Sequence, residues 1–279
     1  MTTVPSRPVL LTGASGALGR QLVAYLGGRL GWTLRLTDIA PFPDALPPAC
    51  RFVRAELEDG VAILRASEGC GTILHFGGAS VEKPFEQVIG PNIRGAYHIY
   101  EAARRERARV VFASSNHAIG FHERSEPLDD DCQFLPDGYY GLSKVYTEAM
   151  GRLYWFKHGV ENVNIRIGSC FPEPTNARML ASWLSFADLC RLCERATLAA
   201  AVGSCVIWGN SANTRTWWRH DARDQLGWQP ENSADPFATR LSKQTSGDPV
   251  EERYQGGSYA ALDFSRDAAV GGPIFSRDS

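Results

Sequence analysis

Val9-Leu-Leu-Thr-Gly13-Ala-Ser-Gly16-Ala-Leu-Gly19 decides how the rest of the chain is read. Four apolar or β-branched residues run into a glycine, which marks a buried strand ending in a tight turn. Gly13, Gly16 and Gly19 stand at three-residue spacing, and a helix-compatible stretch begins beside the last of them. Glycine lets backbone turn sharply and approach an anion closely. The helix N-terminus offers unpaired N–H groups and the positive end of a dipole, so this is a place to dock a pyrophosphate.

Working outward, β-rich runs alternate with helical ones. Candidate strands are Pro8–Thr12, Thr33–Thr37, Arg51–Glu56, Thr72–Phe76, Arg109–Ser114 and Asn162–Ile167, and candidate helices include Gly19–Leu30, Pro84–Arg107 and Tyr139–His158. Strands rich in Val, Ile, Leu and Phe suit a sheet covered on both faces. The pattern predicts an α/β fold, a Rossmann-type doubly wound parallel sheet. After Ser169 glycine and proline punctuate shorter elements and tryptophans appear, so residues 1–168 read as a dinucleotide-binding domain. Residues 169–279 read as a smaller substrate-binding lobe, with a loosely ordered tail from about 261.

Asp38 closes the second strand 19 residues past Gly19, where a carboxylate accepts both adenosine ribose hydroxyls and repels a 2′-phosphate. Ile39 follows it rather than arginine, and alternation sends Arg35 to the other face, so NAD is expected over NADP. Glu56 and Leu57 flank the adenine position. Phe76-Gly77-Gly78 forms a second glycine-bearing loop at the same sheet edge.

The chemistry lies in Tyr140-Gly-Leu-Ser-Lys144. Four residues apart on a helix, the two side chains project from one face. A tyrosine has a pKa near 10, so a base working near pH 7 needs about 4 kcal/mol of preferential phenolate stabilisation. An adjacent ammonium and a cationic nicotinamide ring supply energy of that order. Ser115 ends a strand at the same edge and is placed to hold a reacting oxygen against Tyr140.

Glycine triplet, ribose acid, strand-end serine and Tyr-x-x-x-Lys, in this order, resemble the extended short-chain dehydrogenase/reductase (NAD-dependent epimerase/dehydratase-like) family. Gly77-Gly-Ala-Ser-Val-Glu-Lys-Pro-Phe, Ser114-Ser-Asn-His, Arg166-Ile-Gly-Ser-Cys-Phe-Pro-Glu-Pro and Ala177-Arg-Met-Leu narrow the resemblance to the uronate dehydrogenases over nearly the whole chain. The resemblance implies NAD-dependent oxidation of a hexuronic acid at C1 to the aldarolactone, with Tyr140 as base and Ser115 and Lys144 as its catalytic partners. It implies NAD contacts at Gly13, Gly16, Ala17, Leu18, Gly19, Asp38, Glu56, Leu57, Phe76, Gly77, Gly78, Asn92, Tyr140, Lys144 and Ile167. Asn92 would support the lysine through water. It further implies substrate contacts at Ser80, Ser115, Asn116, His117, Tyr140, Ser169 and Arg178. Arg178 is the natural carboxylate partner, because its planar fork makes two hydrogen bonds to a carboxylate that lysine cannot copy. Its bland alternative is a surface salt bridge. Glu56 departs from the family's usual Asp, and Ala17-Leu18 occupies the loop tip.

Two other readings remain open. A nucleotide-sugar epimerase or dehydratase fits the fold, but the 110 residues after Ser169 leave limited room for a diphosphate pocket and show no basic pair for it. A non-catalytic NAD-sensing protein would usually lack the Tyr or the Lys. The formal charge of −2, with cations scattered, excludes a nucleic-acid stripe, and no apolar run is long enough to span a bilayer. Seven cysteines without a framework spacing fit a reducing cytoplasm. Cys190-x-x-Cys193 lies in a helix-like stretch and reads as buried thiols, and no spacing suggests a metal site. Members of the family assemble as homo-oligomers, which is expected here too.

Overall fold

The computed structural model describes residues 4–266. Seven strands form one parallel sheet: β1 (Val9–Thr12), β2 (Leu34–Asp38), β3 (Cys50–Arg54), β4 (Thr72–His75), β5 (Arg109–Ser115), β6 (Asn162–Ile167) and β9 (Ser204–Gly209). Their spatial order is β3-β2-β1-β4-β5-β6-β9, every pair parallel. Two-residue strands β7 (Ser169–Cys170) and β8 (Trp183–Leu184) pair separately. The order reverses between β1 and β4, so the crevice at the carboxyl ends of those strands is where a ligand is expected to sit.

Strand alternation explains why the sheet is covered twice. Val9, Leu11, Leu74, Val111 and Ile165 enter one apolar cluster. Leu10, Ile73, Val110 and Phe112 enter another on the opposite face. The first is closed by α1 (Ala17–Leu22) and by Leu189, Leu192 and Cys193 of α7 (Phe186–Leu198). The second is closed by α2 (Gly60–Ser67), α4 (Gly95–Glu106) and α5 (Tyr139–His158), through Ile63, Ile99, Tyr100 and Met150. Cys190 and Cys193 are both buried in the first core, and burial pushes the Cys190 thiol up to about 12.

Three differences from the expected elements have physical reasons. The helix expected over 84–107 is three joined pieces: α3 (Phe85–Val88), a π-helical turn Ile89–Arg94, and α4. Pro91 has no N–H to give and crowds the preceding turn, and the wider π turn absorbs it. The helix expected over 19–30 likewise starts as α1 and widens into a π-helical stretch, Val23–Arg29. Third, β9 and α7 lie beyond residue 168 yet complete the main sheet and its core, so the expected 1–168 and 169–279 portions share one sheet. Of the expected tail, Ala261 ends a short helix, Ser258–Ala261, and 267–279 lie outside the described residues. Among the described residues no helix is long and apolar enough to cross a membrane.

Candidate active site

A continuous cleft of about 1520 Å³ opens at the carboxyl edge of the sheet, over the strand-order reversal. Every cofactor and substrate position expected from the sequence lines it except Asn92.

The first glycine turn forms its floor. Gly13 has φ +70°, and a Cβ there would meet the Phe76 carbonyl oxygen at 2.5 Å. A Cβ on Gly19 would lie 2.1 Å from the Gly13 carbonyl oxygen. Only glycine lets β1, α1 and the β4 loop approach this closely. Gly16 begins α1 without a side-chain cap, so the helix's first N–H groups have no side-chain partner and stand ready for an anion. Ala17 and Leu18 line the cleft beside them, and Glu56, Leu57, Phe76, Gly77 and Gly78 continue its wall. The Asp38 carboxylate accepts from Ser15 N–H and Ala40 N–H, both at 3.0 Å, which aims it across the turn. Arg35 points away and donates to the Ala66 carbonyl oxygen. Thr12 Oγ1 accepts from Gly77 N–H and meets the buried His75 Nδ1 at 2.8 Å, tying β1 to the second glycine loop.

Asn92 lies behind that loop. Its Oδ1 accepts from Ala79 N–H at 2.7 Å, while its Nδ2 donates to Ala79 O at 3.1 Å and to Ser143 Oγ at 2.9 Å. The π turn at Pro91 therefore turns a side chain inward that joins the glycine loop to α5, one residue before Lys144. Glu82, which sequence reasoning missed, clamps the start of the same helix. Its two carboxylate oxygens accept from Tyr139 N–H and Tyr140 N–H at 2.8 and 2.9 Å, an anion at the positive end of a helix.

Tyr140 and Lys144 stack as expected, with the ammonium 5.1 Å from the phenol ring centre and 4.8 Å from the Phe112 ring centre. Lys144 Nζ donates to Ala113 O at 2.8 Å. Burial pushes this ammonium down to about 7, opposed by the carboxylate of Glu148 one turn on. Burial also raises the Tyr140 phenol above its usual range, opposed by its hydrogen bond with Ser115. Ser115 Oγ in turn accepts from His117 N–H at 3.2 Å. A cation over the phenol ring favours its charged form, and burial opposes it.

Arg178 is not a surface salt bridge. Its Nε donates to Gln255 O at 2.7 Å and its Nη1 to Ser169 Oγ at 3.2 Å. Its Nη2 donates at 2.8 Å to the amide oxygen of Asn116, whose nitrogen donates to Ile167 O. All three acceptors are neutral, and among the described residues no carboxylate lies within ion-pair distance. A guanidinium has five N–H groups, so one on each terminal nitrogen remains. Burial and nearby Arg124 push Arg178 down to about 10, which keeps it cationic at neutral pH. Ser80 lies exposed on the cleft rim.

The far wall comes from residues that no local pattern announces. Tyr259 stacks on His117 with ring centres 4.0 Å apart. Arg124 donates to Glu252 Oε2 at 2.6 Å and to Tyr254 O at 3.2 Å. Gln255, fully buried, accepts from Trp218 Nε1 and donates to the carbonyl oxygens of Glu123 and Glu126. These bonds fasten the segment at 254–259 across the cleft. Among the described residues no group of His, Cys, Asp and Glu could hold a metal ion.

A model of the NAD dependent epimerase/dehydratase family matches residues 9–222. A uronate dehydrogenase of Pseudomonas putida is 43% identical over 93% of this chain and 98% of its own length. Another, from Pseudomonas syringae pv. tomato, is 45% identical over 93% of this chain and 95% of its own. Among solved structures, a mutant uronate dehydrogenase from Agrobacterium tumefaciens complexed with NAD superposes with a TM-score of 0.87 at 40% identity, covering 99% of this chain and 100% of that one. A glucuronic acid dehydrogenase from Chromohalobacter salexigens superposes at 0.86 with 41% identity, over 91% and 96%.

Proposed function

The chain belongs to the uronate dehydrogenases of the NAD dependent epimerase/dehydratase family and is an NAD-dependent oxidoreductase; from that premise we propose that it oxidises a cyclic hexuronic acid at C1 to the aldarolactone, with Tyr140 as general base. One observation carries the substrate class. Arg178 is a cation inside the cleft, held by neutral acceptors, with two N–H groups left for an anion. A neutral sugar would leave that charge buried and unmatched, whereas a carboxylate matches it in charge and geometry.

The residues fit the cofactor. The glycine cradle and the uncapped start of α1 suit a pyrophosphate, Asp38 suits a ribose diol, and Glu56 and Leu57 suit the adenine. When bound, NAD accepts the C1 hydride, and its cationic ring adds to the field that favours phenolate. The chain's own part is to place and deprotonate the substrate. Arg178, Ser169 and Asn116 grip the carboxylate end, with Ser80 and His117 on the hydroxyls. Ser115 hydrogen-bonds the C1 oxygen and holds it against the Tyr140 oxygen. Tyr140 takes the hydroxyl proton as the C1–O bond becomes a carbonyl, and Lys144 balances the charge on the phenolate. Asn92 and Glu82 hold the helix that carries both groups.

We also propose a homo-oligomer assembled through α5, where Tyr139, Leu142, Tyr146, Leu153 and Phe156 leave an apolar stripe exposed at helical spacing. The decisive experiment is NADH formation from NAD with glucuronate, galacturonate and the matching sugars that carry a C6 hydroxymethyl instead of a carboxylate. Turnover of the uronates alone supports the proposal. Equal turnover of the neutral sugars, or none of any, removes it.

A further inference from the structure

Asp137 is buried beneath the cleft with its side chain fully out of solvent. Its Oδ2 lies 2.7 Å from His117 Nδ1, while its Oδ1 has no hydrogen-bond partner. An unpartnered buried carboxylate oxygen is a standing cost to stability. The fold nevertheless builds a close-fitting cage for it from three distant segments. A Cβ on Gly120 would lie 1.9 Å from Oδ2 and one on Gly256 1.8 Å from it, while one on Gly141 would lie 3.1 Å from Oδ1. The Gly256 N–H to Gly120 O bond, 2.8 Å, closes the cage. The arrangement holds a carboxylate against one imidazole nitrogen.

That imidazole is held on its other sides as well. Tyr259 stacks on its face, and Tyr140 meets it edge-on with ring centres 5.8 Å apart. Among the described residues no protein group bonds Nε2, and His117 lines the cleft. A carboxylate only accepts, so Nδ1 is the nitrogen that donates to Asp137, and in the neutral ring that leaves Nε2 as the acceptor.

We infer that Asp137 is a positioning residue for the reaction: it locks His117 in the Nδ1–H tautomer, so that Nε2 is a fixed acceptor for a substrate hydroxyl near the carbon oxidised beside Tyr140. The inference rests on the uronate reading of the cleft and deepens it. Specificity follows from it. A fixed acceptor rewards a hydroxyl that points at it and leaves an unpaired lone pair when the hydroxyl is missing or inverted.

The test is a double-mutant cycle on kcat/KM for the uronate that the wild type turns over, using Asp137→Asn, His117→Ala and the pair. Asn fits the cage but can donate to Nδ1 and so release the wrong tautomer. Asp137→Asn is expected to lower kcat/KM about 10- to 100-fold, while His117→Ala with Asp137→Asn is no worse than His117→Ala alone. NAD affinity and melting temperature should stay close to wild type. Losses that multiply in the pair, or an Asp137→Asn loss that disappears only when Arg178 is replaced, would overturn the inference, because Asp137 would then act on stability or on the Arg178 charge. Imidazole 15N chemical shifts give a second readout, free of turnover. Wild-type His117 should show a protonated Nδ1 and a bare Nε2, and Asp137→Asn a shift toward the other tautomer. A protonated Nε2 in the wild type overturns the inference even if uronate is oxidised. If no uronate is oxidised while the shifts come out as expected, the substrate reading fails and the Asp137–His117 lock stands.

Discussion

The two walls of the cleft are built by different means. The cofactor wall is backbone: glycine turns after β1 and β4, the bare start of α1, and one carboxylate, Asp38, fixed by two N–H groups. The wall proposed for the substrate is side chain: Arg178, Asn116 and His117, held by partners as far off in sequence as Gln255 and Tyr259. A backbone wall is set by local conformation and recognises what every dinucleotide shares. A side-chain wall is set by tertiary packing and is where one substrate is told from another. Tyr140 and Lys144 stand where the walls meet, on a helix fastened to the cofactor side by Asn92 and Glu82.

The largest effect is expected at that junction. If Tyr140 is the base as proposed, Tyr140→Phe removes the proton acceptor and little else, and should lower kcat about 10²- to 10⁴-fold while NAD and uronate still bind in a calorimetric titration. Near-normal turnover would mean that neither wall delivers substrate to this phenol. Next in size comes a crossed pair that tests whether the walls are separable. Gly19→Val drives a side chain toward the Gly13 carbonyl and should weaken NAD at least about tenfold, because the turn must open. Arg178→Lys keeps the charge but loses the fork, and should raise the KM for uronate about 10- to 100-fold with NAD affinity unchanged. If either variant moves the other ligand's affinity as much as its own, the division between the walls is wrong.

The same division explains what the sequence made legible. Strand runs, glycine spacing and Tyr-x-x-x-Lys are local patterns, and each follows from backbone geometry or helical period. The six strands expected as far as Ile167 all form, within one or two residues of the expected ends. The π turn was invisible because one continuous helix was expected through Pro91, and helical periodicity does not register the local widening that accommodates the proline. On the substrate side, Arg178 and His117 were reached through the resemblance, not through spacing. Glu82, Asp137, Arg124, Gln255 and Tyr259 were given no role. Each matters through a partner brought close only by the fold: 57 residues separate Tyr139 from Glu82, and 128 separate Arg124 from Glu252. The strand β9 was missed for a related reason, since its run Ser-Cys-Val-Ile-Trp-Gly stands among loops where the β-α alternation has loosened.

The smallest expected effect concerns stability, and it asks which region makes the fold sensitive to pH. On the cofactor side, burial holds His75 down to about 3, so its effect on stability is confined below its ordinary value of 6.5, whereas the junction contains a buried ammonium that acts above pH 7. Burial holds Lys144 near 7 in the folded protein, against 10.5 as its ordinary value. Between those two values the unfolded chain binds a proton that the folded chain does not, so wild-type stability rises with pH across that window. Below 7 the buried cation, or the work of discharging it, weighs fully against folding. Lys144→Met replaces it with a flexible apolar chain of similar length, at the loss of one bond to Ala113 O. The variant should be inactive yet more stable than wild type at pH 7 by about 1 kcal/mol, with the difference shrinking as pH climbs toward 10.5. Urea denaturation at pH 7 and pH 9.5 measures both numbers. A variant less stable than wild type at pH 7, or a difference that does not change with pH, would show that the Glu148 carboxylate offsets the burial of Lys144 and that the junction is as indifferent to pH above 7 as the cofactor wall.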